Sequence, residues 1–175
     1  MSEGRHVVLL GLMGGGKTSV GRRVAARLGR PLLDGDALLE ARTGRTAAEI
    51  ADSEGLDRLH GLEAEIAMEA LASTEPAVVS PAASVVEVDA VRAALAGHAV
   101  VWLAASAAHH ARAAVGKDHR PLLDGDPLAL FEHQLAVRGP LRPSVAELVI
   151  DVETATKDEQ ADAVVALLQR HHPEL

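Results

Sequence analysis

Residues 11–18 read Gly-Leu-Met-Gly-Gly-Gly-Lys-Thr, and the apolar run Val7, Val8, Leu9, Leu10 stands directly before them. The spelling GxxxxGK[ST] after a strand belongs to a loop that binds the phosphates of a nucleoside triphosphate. Glycines at 11, 14, 15 and 16 open backbone conformations closed to residues with a Cβ, so consecutive N–H groups can turn inward around phosphate oxygens. Lys17 would reach the β- and γ-phosphates and Thr18 would bring its hydroxyl to Mg²⁺. The helix opening there would aim its positive end at the same anion. Gly14, Gly15, Gly16, Lys17, Thr18 and Ser19 are the expected nucleotide contacts.

A second constellation is Asp34-Gly-Asp36, at the end of an expected strand over residues 31–34. The carboxyl edge of a parallel sheet is where such folds bind ligands, and a carboxylate pair there suits metal or proton chemistry; read alone, the pair also spells a surface turn. His109, His110, His119 and His133 invite a metal reading. Neighbouring histidines on a helix point apart, however, and neither HExxH nor a facial triad is present, so Mg²⁺ is the one metal expected. His171 and His172 read as a solvated tail.

The elements that must position these groups follow from periodicity. Short apolar or β-branched runs at 6–10, 31–34, 77–80, 99–103 and 148–152 alternate with helical spacing at 17–28, 56–71, 88–95, 127–137 and 157–170. That alternation predicts an α/β chain with five parallel strands wrapped by helices. Apolar residues at 20, 24, 25 and 28 form one helix face that Gly29 can end, and Leu59, Leu62, Ile66 and Leu71 form another; both helices are expected on the sheet. Residues 115–126, polar and broken by Gly116, Pro121 and Gly125, read as a mobile loop.

At 175 residues the chain is expected to be one domain over 1–175, and 48% hydrophobic residues suffice for one continuous core. With Trp102 and Phe131 as its aromatics, that core must be built from Ala, Val, Leu and Ile. A net charge of −8, with no basic cluster, argues against a nucleic-acid partner. No cysteine is present, which excludes disulfides, thiolate catalysis and thiolate zinc sites. Neither a membrane-length apolar span nor a basic leader is visible, so the expectation is a cytoplasmic protein with no membrane partner.

The chain resembles the shikimate kinases, small P-loop kinases of the nucleoside-monophosphate-kinase fold. The resemblance rests on GLMGGGKT, LLDGD at 32–36, RTGRTAAEI at 42–50, VRAALAGHAVVWL at 91–103, RPLL at 120–123 and Arg138-Gly-Pro-Leu. It implies a three-layer α/β/α P-loop kinase with a lid near 115–126, using ATP and Mg²⁺ to phosphorylate the 3-hydroxyl of shikimate on the route to chorismate and aromatic amino acids. It also implies a monomer whose partner is a small hydroxy acid. By the same resemblance Asp34 holds Mg²⁺ with Thr18, and Asp36 binds the acceptor hydroxyl and takes its proton. Arg120 comes from the lid onto the transferring phosphoryl group, and Arg138 grips the acceptor carboxylate. Lys17, Asp36 and Arg120 form the catalytic set; Asp36, His60, Ala83 and Arg138 form the acceptor set.

Departures from the family pattern fall mainly in the acceptor half. His60 stands where the family has a substrate-binding arginine. Losing one charge-assisted contact costs roughly 1.5–3 kcal/mol, about 10- to 150-fold in affinity. Glu63 either holds His60 protonated through its charge or lies on an ordinary helix surface near Arg58. Pro81, Ala82, Ala83 and Ser84 replace a triple glycine. Because positive φ at alanine or serine costs roughly 1–2 kcal/mol each, a changed loop path is expected there. Arg142 replaces a tyrosine, adding a cation near the pocket, and Ala113, beside Arg112, replaces an adenine-stacking arginine. Two further readings therefore stand beside shikimate phosphorylation: a kinase for another small hydroxylated acid, and a nucleotide-binding regulator whose catalysis has decayed.

Overall fold

The computed structural model describes residues 5–115, 125–173 and 175. Among these, β1 (Val7–Leu10), β2 (Leu32–Asp34), β3 (Val78–Ser80), β4 (Ala99–Ala104) and β5 (Leu148–Asp151) form one sheet in the order β2-β3-β1-β4-β5. Every pairing is parallel, with Val7 beside both Val78 and Ala99. The helices are α1 (Lys17–Leu28), α2 (Gly35–Thr43), α3 (Ala47–Glu54), α4 (Leu56–Leu71), α5 (Asp89–Leu95), α6 (Ala107–Ala114), α7 (Pro127–Arg138), α8 (Arg142–Val145) and α9 (Lys157–His171), with 3₁₀ turns at Ala83–Glu87 and Gly139–Leu141. The five strands and five helices expected from periodicity are all present, each to within one residue at either end.

The sheet sorts its side chains by alternation, as a pleated strand must. Val7, Leu9, Val78, Val101, Leu103 and Leu148 face α1 and α9 through Val20, Val24, Ala161, Val164 and Leu168. Val8, Leu10, Val79, Val100 and Trp102 face the other way, onto Ala67, Ala70 and Leu71 of α4, Val91 and Leu95 of α5, and Val85 and Val86 of the first 3₁₀ turn. Strands buried on both faces read as unbroken apolar runs, which is why they are visible in sequence. The result is the α/β/α sandwich that the resemblance implies.

Four short helices carry no such stripe. α2 buries Leu39 and α3 buries Ile50. Caps set the starts of three of them: Asp34 accepts from Ala37 N at α2, Ser106 accepts from His109 N at α6, and Thr46 with Glu49 forms a reciprocal capping box at α3. These two helices also correct the expected seating of α4. Its first half, through Leu59, Leu62 and Ile66, packs on Leu39 and Ile50, and its second half alone rests on the sheet.

His172 is a further correction. It is buried, not solvated, and its Nδ1 lies 2.9 Å from Arg5 Nη1. Among the described residues, no helix is long and apolar enough to cross a membrane, and no group of three His, Asp or Glu side chains could hold a metal.

Candidate active site

β1 hands the chain to Gly11, whose φ of 147° lets the backbone pass Leu103 so closely that a Cβ would stand 2.7 Å from its carbonyl oxygen. Gly14 and Gly16 follow, each at φ 81°, a conformation that favours glycine. Gly16 is the N-cap of α1, and no side chain caps it. A helix start without a side-chain cap, curled behind a glycine loop, fits an anion. Lys17 lies across this loop, its Nζ donating to Gly11 O at 3.0 Å and Leu12 O at 3.1 Å.

Thr18 meets the end of β2. Its Oγ1 donates to Asp34 Oδ2 at 2.6 Å, while the other oxygen of that carboxylate accepts from Ala37 N at 3.1 Å and starts α2. A hydroxyl and a carboxylate side by side are a hard-oxygen donor set suited to Mg²⁺. Asp36 lies in the first turn of α2. Lys17, Thr18, Asp34 and Asp36 all line one cavity of ≈ 460 Å³, whose opposite wall carries His60, Glu63, Ala83 and Arg138.

That opposite wall has its own electrostatics. Arg138 is buried in the last turn of α7, where its Nε donates to Glu87 Oε1 at 2.6 Å and its Nη1 to Gln134 Oε1 at 3.0 Å. Glu63 is pushed up to about 7, first by burial and also by the charge of Asp36, against the opposing pull of its hydrogen bond from Ser84 Oγ. His60 is held below its ordinary value by burial and by the Arg138 guanidinium. The carboxylates that favour its charge are Glu87 and Asp57, and Glu63 itself lines the cavity, so neither of the two readings of Glu63, counter-charge of His60 or ordinary helix surface, describes it.

The loop after β3 avoids the strain of positive φ at Pro81, Ala82, Ala83 and Ser84. Ala82 has φ −59°, and residues Ala83–Glu87 wind into a 3₁₀ turn that brings Ser84 to Glu63. Gly35 packs against this loop so tightly that a Cβ would come 3.1 Å from Ala82 N.

The family model for shikimate kinase matches residues 13–169. The chain belongs to the shikimate kinase family. It is 41% identical over 165 residues to the shikimate kinase of Thermobifida fusca (strain YX), covering 94% of this chain and 95% of that protein. It is 38% identical over 167 residues to the shikimate kinase of Mycobacterium tuberculosis (strain ATCC 25177 / H37Ra), covering 95% and 94%. The structure of a shikimate kinase from Acinetobacter baumannii in complex with shikimate superposes with a TM-score of 0.89 at 26% identity, covering 97% of this chain and 95% of that one.

Of the residues expected at the site, Gly14, Gly16, Lys17, Thr18, Ser19, Asp34, Asp36, His60, Ala83 and Arg138 share the one cavity, and Gly15 is buried behind it in the loop. Arg120 and residues 116–124 of the expected lid lie outside the described residues; Val115 caps the end of α6 and Asp126 the start of α7. Arg142 opens α8 and is not part of the cavity wall among the described residues, whereas Arg22 of α1 is.

Sequence reading missed the partners of the acceptor wall, Glu87 and Ser84, because their contacts span 51 and 21 residues of chain. It also missed the place of His110, considered only as one of four histidines that invite a metal. That ring is 1% exposed, stacks on Phe131 with centroids 5.5 Å apart, and puts its Cε1 3.3 Å from where a Gly15 Cβ would be. Burial, helped by the charges of Lys17 and His109, pushes it down to about 4, so a neutral ring backs the phosphate loop.

Proposed function

We propose that this chain transfers the γ-phosphoryl group of ATP to the 3-hydroxyl of shikimate with Mg²⁺, as a monomeric cytoplasmic enzyme on the route to chorismate. The observation that carries this reading is that a glycine phosphate loop, the Thr18–Asp34 pair, the Asp36 carboxylate and the Arg138 guanidinium line one cavity. Phosphoryl transfer demands positioning and neutralisation of spreading charge more than covalent help from the protein. Lys17 and the loop amides hold the triphosphate, with Arg120 assigned to the transferring group. Thr18 and Asp34 are the residues that would hold Mg²⁺, which when bound would neutralise phosphate charge. Asp36 orients the acceptor hydroxyl and takes its proton, while Arg138 engages the carboxylate. Ala83 presents backbone from the altered loop, and His60 adds a neutral hydrogen-bonding contact.

A coupled assay with ATP, Mg²⁺ and shikimate tests this directly, with NMR identification of the 3-phosphate as product and size-exclusion chromatography reporting the oligomeric state. ATP binding without transfer to shikimate refutes it. One observation favours a second reading, a kinase for another small hydroxylated acid: Arg138 is already paired with Glu87, and His60 brings no second cation at neutral pH. A panel of polyol acids giving a far higher kcat/KM than shikimate would establish that reading.

A further inference from the structure

The first turn of α9 is fastened to α1, the helix that begins at the phosphate loop. Arg23 Nε pairs with Asp158 Oδ1 at 3.2 Å and Arg27 Nε with Asp162 Oδ1 at 2.7 Å. The turn is also fastened from within: Thr156 and Glu159 form a capping box, and the buried Gln160 donates through Nε2 to Val152 O at 3.0 Å and Ala155 O at 2.8 Å. Lys157 is the first helical residue here. It is half-buried while Thr156, Asp158 and Glu159 around it are exposed.

Its side chain runs onto the loop. A Cβ built on Gly16 would overlap Lys157 Nζ and stand 2.8 Å from Cε and 3.5 Å from Cδ, so the ammonium rests on the bare Cα of the residue that precedes Lys17. Gln160 Oε1 accepts from that Nζ at 3.3 Å and helps to hold it there. Two of the chain's three lysines thus bear on adjacent residues of one glycine loop, in a protein whose net charge is −8. Two ammonium groups brought to one helix N-terminus raise each other's energy, and a polyanion seated between them offsets that cost.

We infer that Lys157 is a second phosphate-binding cation of the nucleotide site, contacting the polyphosphate of a nucleoside di- or triphosphate from the α9 side while Lys17 contacts it from within the loop. The inference rests on the nucleotide reading of the loop and adds to it a residue outside the GxxxxGK[ST] motif. It specifies what the contact recognises: phosphate charge, not the base or the ribose.

Calorimetry with ADP and with adenosine, on wild type, Lys157→Met and Lys157→Arg at low and high salt, tests it. Loss of one charge-assisted contact is expected to weaken ADP binding about tenfold in Lys157→Met. The salt dependence of ADP affinity should flatten in the same variant, with adenosine affinity unchanged and Lys157→Arg within about threefold of wild type. In steady state, KM for ATP rises while KM for the acceptor stays. Wild-type ADP affinity in Lys157→Met, or a matching loss on adenosine, would overturn the inference and leave the nucleotide reading standing. Failure of the wild type itself to bind ADP would overturn both.

Discussion

Glu63→Gln isolates the most perturbed carboxyl of the acceptor wall. In the folded chain Glu63 titrates at about 7, against an ordinary value of 4.5 that the unfolded chain restores. Between those values the native state holds a proton that the unfolded state has released, so stability is greatest below pH 4.5, falls as pH rises and levels off above 7. The span of 2.5 units corresponds to about 3 kcal/mol at 1.36 kcal/mol per unit. Glutamine keeps the shape and an oxygen that can accept from Ser84 Oγ, and it cannot ionise. Urea unfolding at pH 5, 6, 7 and 8, followed through the buried Trp102, should therefore show wild type losing about 2.5 kcal/mol relative to the variant, the part of the span that falls in that range. His60, His98 and His110 pull the other way, since their depressed values make stability fall as pH drops, but they are common to both proteins and cancel in the difference. Acceptor binding supplies a second readout. Above pH 7 wild-type Glu63 presents a carboxylate to an anionic acceptor, so its KM should rise where that of Glu63→Gln does not. A stability difference that stays flat from pH 5 to 8 refutes the burial argument for this wall.

His60→Arg restores a permanent cation opposite Asp36 and should lower the acceptor KM about tenfold; an unchanged KM in initial-rate assays would mean that the Ala83–Glu87 turn or the Arg138–Glu87 pair has closed that position. Asp36→Asn should abolish transfer and leave ADP affinity by calorimetry within about twofold if, as proposed, the carboxylate serves the acceptor; loss of ADP binding would show that the acceptor pocket has been misplaced. Gly16→Ala must hold a Cβ at φ 81°, at a strain of roughly 1–2 kcal/mol, and must push Lys157 off the loop. ADP binding should fall at least tenfold with the melting temperature lowered by a few degrees, and wild-type affinity in that variant would refute the loop geometry argued here.

The fold was legible because its information is local and repetitive. Each strand is an apolar run and each long helix shows a stripe, as with Val20, Val24 and Ala25 on α1. The illegible helices are those whose order comes from single hydrogen bonds. The Thr46–Glu49 capping box is spelled TxxE in the chain and was available to a reader looking for caps. Asp34 is less legible, since one carboxylate serves as both N-cap of α2 and partner of Thr18.

The two halves of the candidate site differ in legibility for the same reason. The nucleotide half is mostly one contiguous motif, in which eight residues carry glycines, lysine and threonine at set spacing. The acceptor half is assembled from α2, α4, the loop after β3 and α7, and its character depends on pairs that sequence order conceals. Arg138 reads as a free carboxylate clamp until Glu87, 51 residues away, is found on its Nε. Glu63 reads as the counter-charge of His60 or as plain helix surface until burial, against the pull of Ser84, is found to make it a group that is half protonated near neutral pH. Lys157 belongs to the same class: nothing in TKDE marks a phosphate ligand, and only the packing of α9 on α1 lays its ammonium on Gly16. The glycine loop has less latitude: the positive φ at Gly11, Gly14 and Gly16 makes any side chain there strained.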